Sequence, residues 1–394
     1  MAPADRLRTL RKGALHISKR LVLSYVIDWI LIIGTAAVGY AFGTIEPNHN
    51  PFSLTDPSIS FPYAVHETVS TGVLVLAGLV APAVIILLVT LIFIPGRTVN
   101  KNTPRSLIWK RKLWEWNAGW MGLGVSLAGV YVATQGLKDL YGKPRPDLLD
   151  RCDPDLFNIA AYAVSGLGER LMGAPTLVTW EICQNKSDML RIDGFASFPS
   201  GHSSFSWAGL TYLTLWLCAK FSIAFPWLSH RPLNRNNDLL PTTEISIRDE
   251  GAAPPVYLLI LMLVPLGVAA FISASRWFDH RHHGFDILFG SIMGVAFAWV
   301  GFRLYHLPIR RGAGLSWRPR SRNHAFFRAI EFPDSDGAEG WASSAWAKKL
   351  EMGDHQKQNS DDVERGRWSD QDQNVVSPPS EAAEQPKGSP REEV

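Results

Sequence analysis

Residues 256–305 read VYLLILMLVPLGVAAFISASRWFDHRHHGFDILFGSIMGVAFAWVGFRLY. Two apolar blocks, Val256 to Ile272 and Phe285 to Tyr305, enclose a polar cluster, Ser275 to Asp286, which holds three histidines, two arginines and two aspartates. A helix of about 20 apolar residues crosses the hydrocarbon core of a bilayer. Ionisable residues at the depth of the membrane carry a free-energy cost and usually mark functional sites. We therefore interpret the cluster as half of an active site.

Apolar blocks of similar length occur elsewhere in the 394-residue chain, at Val22 to Phe42, Val73 to Ile94, Trp116 to Leu137 and Phe205 to Phe225. Several of the 15 tryptophans fall near block ends, as in the aromatic belts of membrane proteins. The pattern predicts an all-α polytopic membrane protein in which six transmembrane helices form a bundle over residues 21–310. Residues 311–394 are rich in polar residues and proline, which predicts a disordered tail.

The distribution of basic residues predicts the orientation of the helices. Lys and Arg are dense in residues 1–20 and in the segment from Arg97 to Lys112, but none occurs between Gly43 and Gly72. Since cytoplasmic loops carry the excess of positive charge, both termini are expected in the cytoplasm. The catalytic loops, residues 138–204 and 273–285, are then extracytoplasmic. The membrane is left open between endoplasmic reticulum, Golgi, vacuole and plasma membrane.

The three cysteines exclude a disulfide-rich scaffold and a four-cysteine metal site. Cys152 and Cys183 lie in the same outer loop, and the sequence leaves open whether they form a disulfide. Asn185 begins an Asn-Lys-Ser sequon in that loop, and its glycosylation is also left open. No metal site is predicted, because adjacent His282 and His283 point to different faces of a helix and nothing completes a tetrahedral set.

By this topology, three polar groups share the outer side of the membrane. They follow the third apolar block, precede the fourth, and join the last two. Phosphate oxygens are matched by the cations of Lys138, Arg145 and Arg276. Ser200 and Gly201 stand where the fourth helix begins, so free backbone N–H groups and the helix dipole would face a bound anion. These residues predict a phosphate-binding site.

The same regions contain candidates for a nucleophile and an acid. His282 and Asp286 are four residues apart at the expected start of the sixth helix, which would place both on one face. A carboxylate that accepts from one imidazole nitrogen leaves the other nitrogen free to attack. His202, on the neighbouring helix, is the candidate acid for the leaving oxygen. Lys143 is interpreted as a solvated charge.

Three motifs occur in this order along the chain: K-x6-R-P from Lys138, P-S-G-H ending at His202, and S-R-x5-H-x3-D ending at Asp286. Together they resemble, without a substitution, the three-part pattern of the type 2 phosphatidic acid phosphatase superfamily. This superfamily includes lipid phosphate phosphatases and vanadium haloperoxidases. The surrounding residues resemble the lipid phosphate phosphatase and diacylglycerol pyrophosphate phosphatase branch. The resemblance covers about Arg20 to Leu307.

This resemblance implies hydrolysis through a phosphohistidine, with attack by His282, orientation by Asp286 and proton donation by His202. It implies phosphate contacts to Lys138, Arg145, Ser200, Gly201 and Arg276, with no cofactor and no metal. The expected partners are the bilayer and a lipid phosphate such as phosphatidate, diacylglycerol pyrophosphate, a lysophospholipid phosphate or a sphingoid phosphate. No nucleic acid is expected, and a homo-oligomer is left open. The alternatives are a phosphatase for a polyprenyl pyrophosphate or soluble sugar phosphate, and a non-catalytic membrane scaffold of the same fold.

Overall fold

The structure, a computed structural model, describes residues 18–94, 103–221, 223, 255–309, 316–320 and 325–326. Within these residues, six long helices follow the six apolar blocks in order: α1 Lys19–Phe42, α2 Thr71–Phe93, α3 Arg105–Tyr141, α4 Gly201–Lys220, α5 Val256–Phe278 and α6 Gly284–Tyr305. One π-helical turn, Leu76–Val80, interrupts α2. The predicted cytoplasmic N-terminus (1–20) and disordered tail (311–394) lie mostly outside the described residues.

Four helices in the described part of the chain, α1, α2, α5 and α6, are both long and apolar enough to cross a membrane. The helices α3 and α4 are long but less apolar. For α4 the reason is its central position, because other helices and not lipid surround it. Its buried hydroxyl groups bond to neighbouring helices: Thr214 Oγ1 donates to Met262 O of α5 at 3.2 Å, and Ser204 Oγ lies 2.8 Å from Thr134 Oγ1 of α3.

Close packing of α6 on α4 brings the N-terminal ends of these helices together. A Cβ atom on Gly290 would lie 2.7 Å from the carbonyl oxygen of Ser200, and one on Gly294 would lie 2.5 Å from that of Ser204. Only glycine permits this separation of the two backbones, because any side chain would push them apart. The start of α6 is therefore held beside the start of α4.

The segments that connect α1 to α2 and α3 to α4 contain strands that the all-α prediction missed. Strands β1 Phe52–Ser53, β2 Ala163–Ser165 and β3 Leu177–Val178 form an antiparallel sheet in the order β1–β3–β2. Short helical turns accompany it: Pro57–Ile59, Leu148–Cys152, Ile159–Tyr162, Leu167–Glu169, Trp180–Ile182 and Met189–Gly194. The apolar blocks carried no signal for this region, whose strands are only two or three residues long.

A disulfide joins Cys152 to Cys183, which settles the alternative that the sequence left open. Both half-cystines are buried in a small apolar cluster with Leu148, Val178 and Phe195. The segment between α3 and α4 is thus a compact unit and not an extended loop.

The two predicted catalytic loops are shorter than expected, because two helices continue past their apolar blocks. Helix α3 runs to Tyr141 and ends at Gly142, whose φ of +54° favours glycine. Helix α5 runs to Phe278. Lys138 and Arg276 therefore lie in the last turns of helices, where side-chain direction is more rigidly set than in loops, and the connecting segments are residues 142–200 and 279–283.

Candidate functional site

The C-terminal ends of α3 and α5 and the N-terminal ends of α4 and α6 meet at one place. A Cβ atom on Gly201, the first residue of α4, would lie 3.6 Å from Lys138 Nζ at the end of α3. The backbone N–H of Ser200 donates to the carbonyl of Asp286 on α6, at 3.1 Å. The three polar groups that the topology assigned to one side of the membrane are therefore adjacent.

The N-terminus of α4 forms the centre of this site. Ser200 caps the helix, and its hydroxyl accepts from the backbone N–H of Ser203 at 3.4 Å and from its side chain at 3.1 Å. The first N–H groups of a helix have no partner within the helix and carry partial positive charge. The backbone carbonyl of Lys138 accepts from the N–H of Gly142 at 3.1 Å. The Lys138 ammonium forms no hydrogen bond or ion pair with the described residues, so it is available to an anion at this terminus.

His282 is buried, with 3% of its surface exposed. Its Nδ1 atom lies 2.7 Å from the carbonyl oxygen of Ser197. Because a carbonyl only accepts, Nδ1 carries the proton and Nε2 has a free lone pair. Burial, together with the positive charges of Arg145 and Lys138, lowers the pKa of the imidazole well below its ordinary value. The ring is thus neutral, with one nitrogen able to attack.

The predicted contact between Asp286 and His282 is wrong. Helix α6 begins at Gly284, with His283 as its capping residue, so His282 lies outside the helix and the four-residue spacing does not place the two side chains together. The Asp286 carboxylate instead accepts from the backbone N–H of His283 at 3.2 Å and from Ser197 Oγ at 2.6 Å. Asp286 reaches His282 only through Ser197, the residue whose carbonyl holds the ring.

Lys143 is not the solvated charge that its spacing indicated. Its ammonium forms an ion pair with Asp286 at 2.7 Å, although about a third of the Lys143 side chain is exposed. The pair ties the segment after α3 to the first turn of α6. No sequence spacing links these two residues, because they come from elements far apart in the chain.

The two buried arginines expected to bind phosphate are held by carboxylates. Arg145 donates from Nε to the carbonyl of Asp193 at 2.8 Å, and its Nη2 pairs with the Asp193 carboxylate at 2.5 Å. Arg276 Nη2 donates to Asp279 at 2.9 Å, and its Nη1 pairs with Glu67 at 3.0 Å. These contacts fix both guanidinium groups before any substrate arrives.

Arginine residues outside the motifs extend this network of charges. Arg151 pairs with Asp147 at 2.5 Å and with Asp193 at 2.8 Å. Arg281 pairs with Glu67 at 2.7 Å. Burial disfavours ionisation of Asp193, but Arg145 and Arg151 outweigh burial and lower the pKa of its carboxyl. The network connects the disulfide-linked unit to the site.

Sequence reasoning missed Glu67, Asp193 and the role of Ser197. Glu67 and Asp193 lie in connecting segments without a periodic pattern, so only the folded chain reveals them. Ser197 stands three residues before the helix cap Ser200, and it contributes both a backbone carbonyl to His282 and a hydroxyl to Asp286, neither of which a sequence spacing indicates. None of the His, Cys, Asp and Glu side chains in the described ranges forms a group of three placed to hold a metal ion.

The family model of the PAP2 superfamily matches residues 119–310 of the chain. A protein named probable diacylglycerol pyrophosphate phosphatase 1, from Schizosaccharomyces pombe, is 30% identical over 72% of this chain and 81% of its own length. Diacylglycerol pyrophosphate phosphatase 1 of Saccharomyces cerevisiae is also 30% identical, over 72% of this chain and 80% of its own. Probable lipid phosphate phosphatase 4 of Arabidopsis thaliana is 25% identical over 79% of this chain and 80% of its own. No solved structure matches.

Proposed function

Because the chain belongs to the PAP2 superfamily and is an integral membrane phosphatase of the lipid phosphate type, we propose that it dephosphorylates a membrane lipid through a phosphohistidine on His282. The observation that carries the proposal is the fixed tautomer of this ring. Nδ1 donates to the Ser197 carbonyl, and the unprotonated Nε2 belongs to a residue surrounded by cations. A neutral imidazole held in this way is an oriented nucleophile.

In the first step, the Nε2 lone pair of His282 attacks phosphorus, and an N–P bond forms as the bond to the leaving oxygen breaks. His202 gives its proton to that oxygen, so a neutral alcohol or a protonated phosphate departs. Lys138, Arg145 and Arg276 balance the charge of the equatorial oxygens, together with Ser200 and the Gly201 N–H at the start of α4. Charge developing on these oxygens is where prearranged donors accelerate phosphoryl transfer most.

In the second step, water attacks the phosphohistidine. His202, now neutral, accepts a proton from the water, the N–P bond breaks, and inorganic phosphate leaves. His282 returns to its starting form, and His202 regains the proton that it gave away. The cations of the site supply the charge that a metal ion supplies in many phosphatases, so we propose that turnover requires no added divalent metal.

A lipid substrate is favoured by the surroundings of the site, which lies at the ends of apolar helices. In the proposed topology, all six long helices cross the membrane, both termini are cytoplasmic, and the site faces the lumen or the exterior. A catalytic centre at the depth of the headgroups suits a phosphate whose acyl chains stay in the bilayer. The disulfide supports this side, because disulfides persist in oxidising compartments.

The names of two relatives favour diacylglycerol pyrophosphate as the substrate. We propose the monoester, phosphatidate, as a second substrate because it has the same diacylglycerol anchor. The test is a panel of substrates presented to the purified protein in mixed micelles with EDTA. Phosphatidate and diacylglycerol pyrophosphate are expected to be hydrolysed, whereas glucose 6-phosphate and a polyprenyl pyrophosphate are expected to be poor substrates. Faster turnover of glucose 6-phosphate would replace the lipid assignment, and faster turnover of the polyprenyl pyrophosphate would replace the diacylglycerol assignment. Absence of turnover on all four would indicate a scaffold.

A further inference from the structure

Glu67, in the segment between α1 and α2, reaches into the site from a part of the chain outside the three motifs. One carboxylate oxygen lies 3.0 Å from Arg276 Nη1, and the other lies 2.7 Å from Arg281 Nη2. The first of these oxygens is also 3.9 Å from His202 Nε2, which is within ion-pair distance. Glu67 is therefore the carboxylate that faces the candidate acid.

His202 is held so that its Nε2 atom faces this carboxylate. Nε2 is buried and has no hydrogen-bond partner among the described residues. A neutral imidazole is too weak an acid to protonate a leaving oxygen. To act as the acid, His202 must therefore bind a second proton and become a cation.

Positive charge surrounds His202 and opposes this second proton. Arg276 faces the ring from α5, Lys138 from the end of α3, and Arg145 from the segment that follows α3. His282, from the segment between α5 and α6, lies close enough to interact with it electrostatically and is neutral. A cationic acid among three fixed cations requires an anion nearby to be populated at neutral pH.

We propose that Glu67 is a positioning residue that keeps His202 protonated for the first step of the reaction. This inference rests on the proposed function, since it gives His202 the role of the acid. Once His202 has donated its proton, the neutral ring no longer depends on Glu67 and is ready to act as the base. Glu67 also holds Arg276 and Arg281, so the same carboxylate orients cations of the site and balances their charge.

The backbone at Glu67 is held by contacts of the next two residues and does not depend on the charge of Glu67. The next residue, Thr68, donates from its backbone N–H and its hydroxyl to Asp279, at 2.9 and 2.6 Å. Val69 accepts from Arg276 at 2.9 Å. Glu67→Gln is therefore expected to leave the segment in place while removing the negative charge, and Thr68→Val loosens the same segment without changing its charge.

The experiment compares the pH dependence of kcat and KM on phosphatidate in mixed micelles for the wild type, Glu67→Gln, Glu67→Asp and Thr68→Val. Loss of the anion lowers the affinity of His202 for its second proton. In Glu67→Gln, the alkaline limb of the pH profile of kcat is therefore expected to shift to lower pH by about one unit. At a pH on that limb, this shift is a tenfold loss of kcat. Arg276 keeps its bonds to Val69 and Asp279 in Glu67→Gln, so KM is expected to change little. Glu67→Asp is expected to reverse most of the shift, and Thr68→Val to leave the alkaline limb at its wild-type pH.

An unshifted limb in Glu67→Gln would overturn the inference, as would an equal shift in Thr68→Val. A rise in KM with unchanged kcat would also overturn it, because Glu67 would then act on substrate binding alone. His282→Ala and His202→Asn, assayed beside these variants, separate the role of Glu67 from the phosphohistidine mechanism. If both are inactive and Glu67→Gln behaves as the wild type, only the role of Glu67 fails; if His282→Ala turns over normally, the proposed function itself fails.

Discussion

Replacing Ser197 by alanine removes the hydroxyl that donates to Asp286 at 2.6 Å but keeps the carbonyl that holds His282. A hydrogen bond to a charged partner contributes about 1.5–3 kcal/mol. If its loss lets the Ser197 carbonyl drift from Nδ1 of His282, the same free energy is added to the barrier. Since about 1.4 kcal/mol is a factor of ten in rate, kcat is expected to fall about ten- to a hundredfold.

The assay is steady-state hydrolysis of phosphatidate by purified, correctly folded variants, with thermal melting as the check on folding. Asp286→Asn and the double variant complete a cycle with Ser197→Ala. Because both side chains act through one hydrogen bond, the effects of the single changes are expected to be clearly less than additive in the double variant. A Ser197→Ala enzyme with normal kcat beside an inactive Asp286→Asn enzyme would refute the coupling through Ser197, because Asp286 would then act on His282 by another route.

Further predictions concern other parts of the site. Burial and the cations Arg145 and Lys138 lower the pKa of His282. Arg145→Gln is therefore expected to raise that pKa and to shift the acid limb of the pH profile of kcat/KM to higher pH. An acid limb at the wild-type pH would contradict this electrostatic role of Arg145. Reduction of the Cys152–Cys183 disulfide, which closes a separation of 31 residues, is expected to cost about 4 kcal/mol and to lower the melting temperature, whereas a Cys152→Ser, Cys183→Ser variant is expected to be insensitive to reductant. Lys143→Met is expected to lower kcat with little change in KM, because Lys143 contacts Asp286. Lys138→Met is expected to raise KM, because Lys138 is proposed to bind the phosphate. The reverse pattern would contradict both assignments.

The long helices and the position of the site were predictable because both depend on local patterns. Apolar blocks of the right length become helices, and the alternating direction of successive helices brings Lys138, His202 and His282 to the same end of the bundle. Contacts that depend on the end of a helix were not predictable. The spacing of His282 and Asp286 has meaning only inside a helix, and the cap at His283 begins α6 after His282.

Long-range partners were also beyond the sequence. Glu67 comes from the segment after α1, and Asp193 from the unit closed by the disulfide, so neither has a spacing that relates it to Arg276 or Arg145. Lys143 shows the same limit, because its ion pair with Asp286 depends on the direction of the chain after Gly142. The carbonyl of Ser197, which fixes the tautomer of His282, could not be recognised from the residue type.

The most direct test of the phosphohistidine mechanism is to identify the residue that carries the phosphoryl group. The purified enzyme would be mixed with phosphatidate labelled with radioactive phosphorus in its phosphate, quenched in alkali within milliseconds, and digested for peptide mapping. We predict an alkali-stable, acid-labile label on the peptide that contains His282, and its absence in His282→Ala. A label on His202, the absence of any alkali-stable label during turnover, or full turnover by His282→Ala would contradict the mechanism.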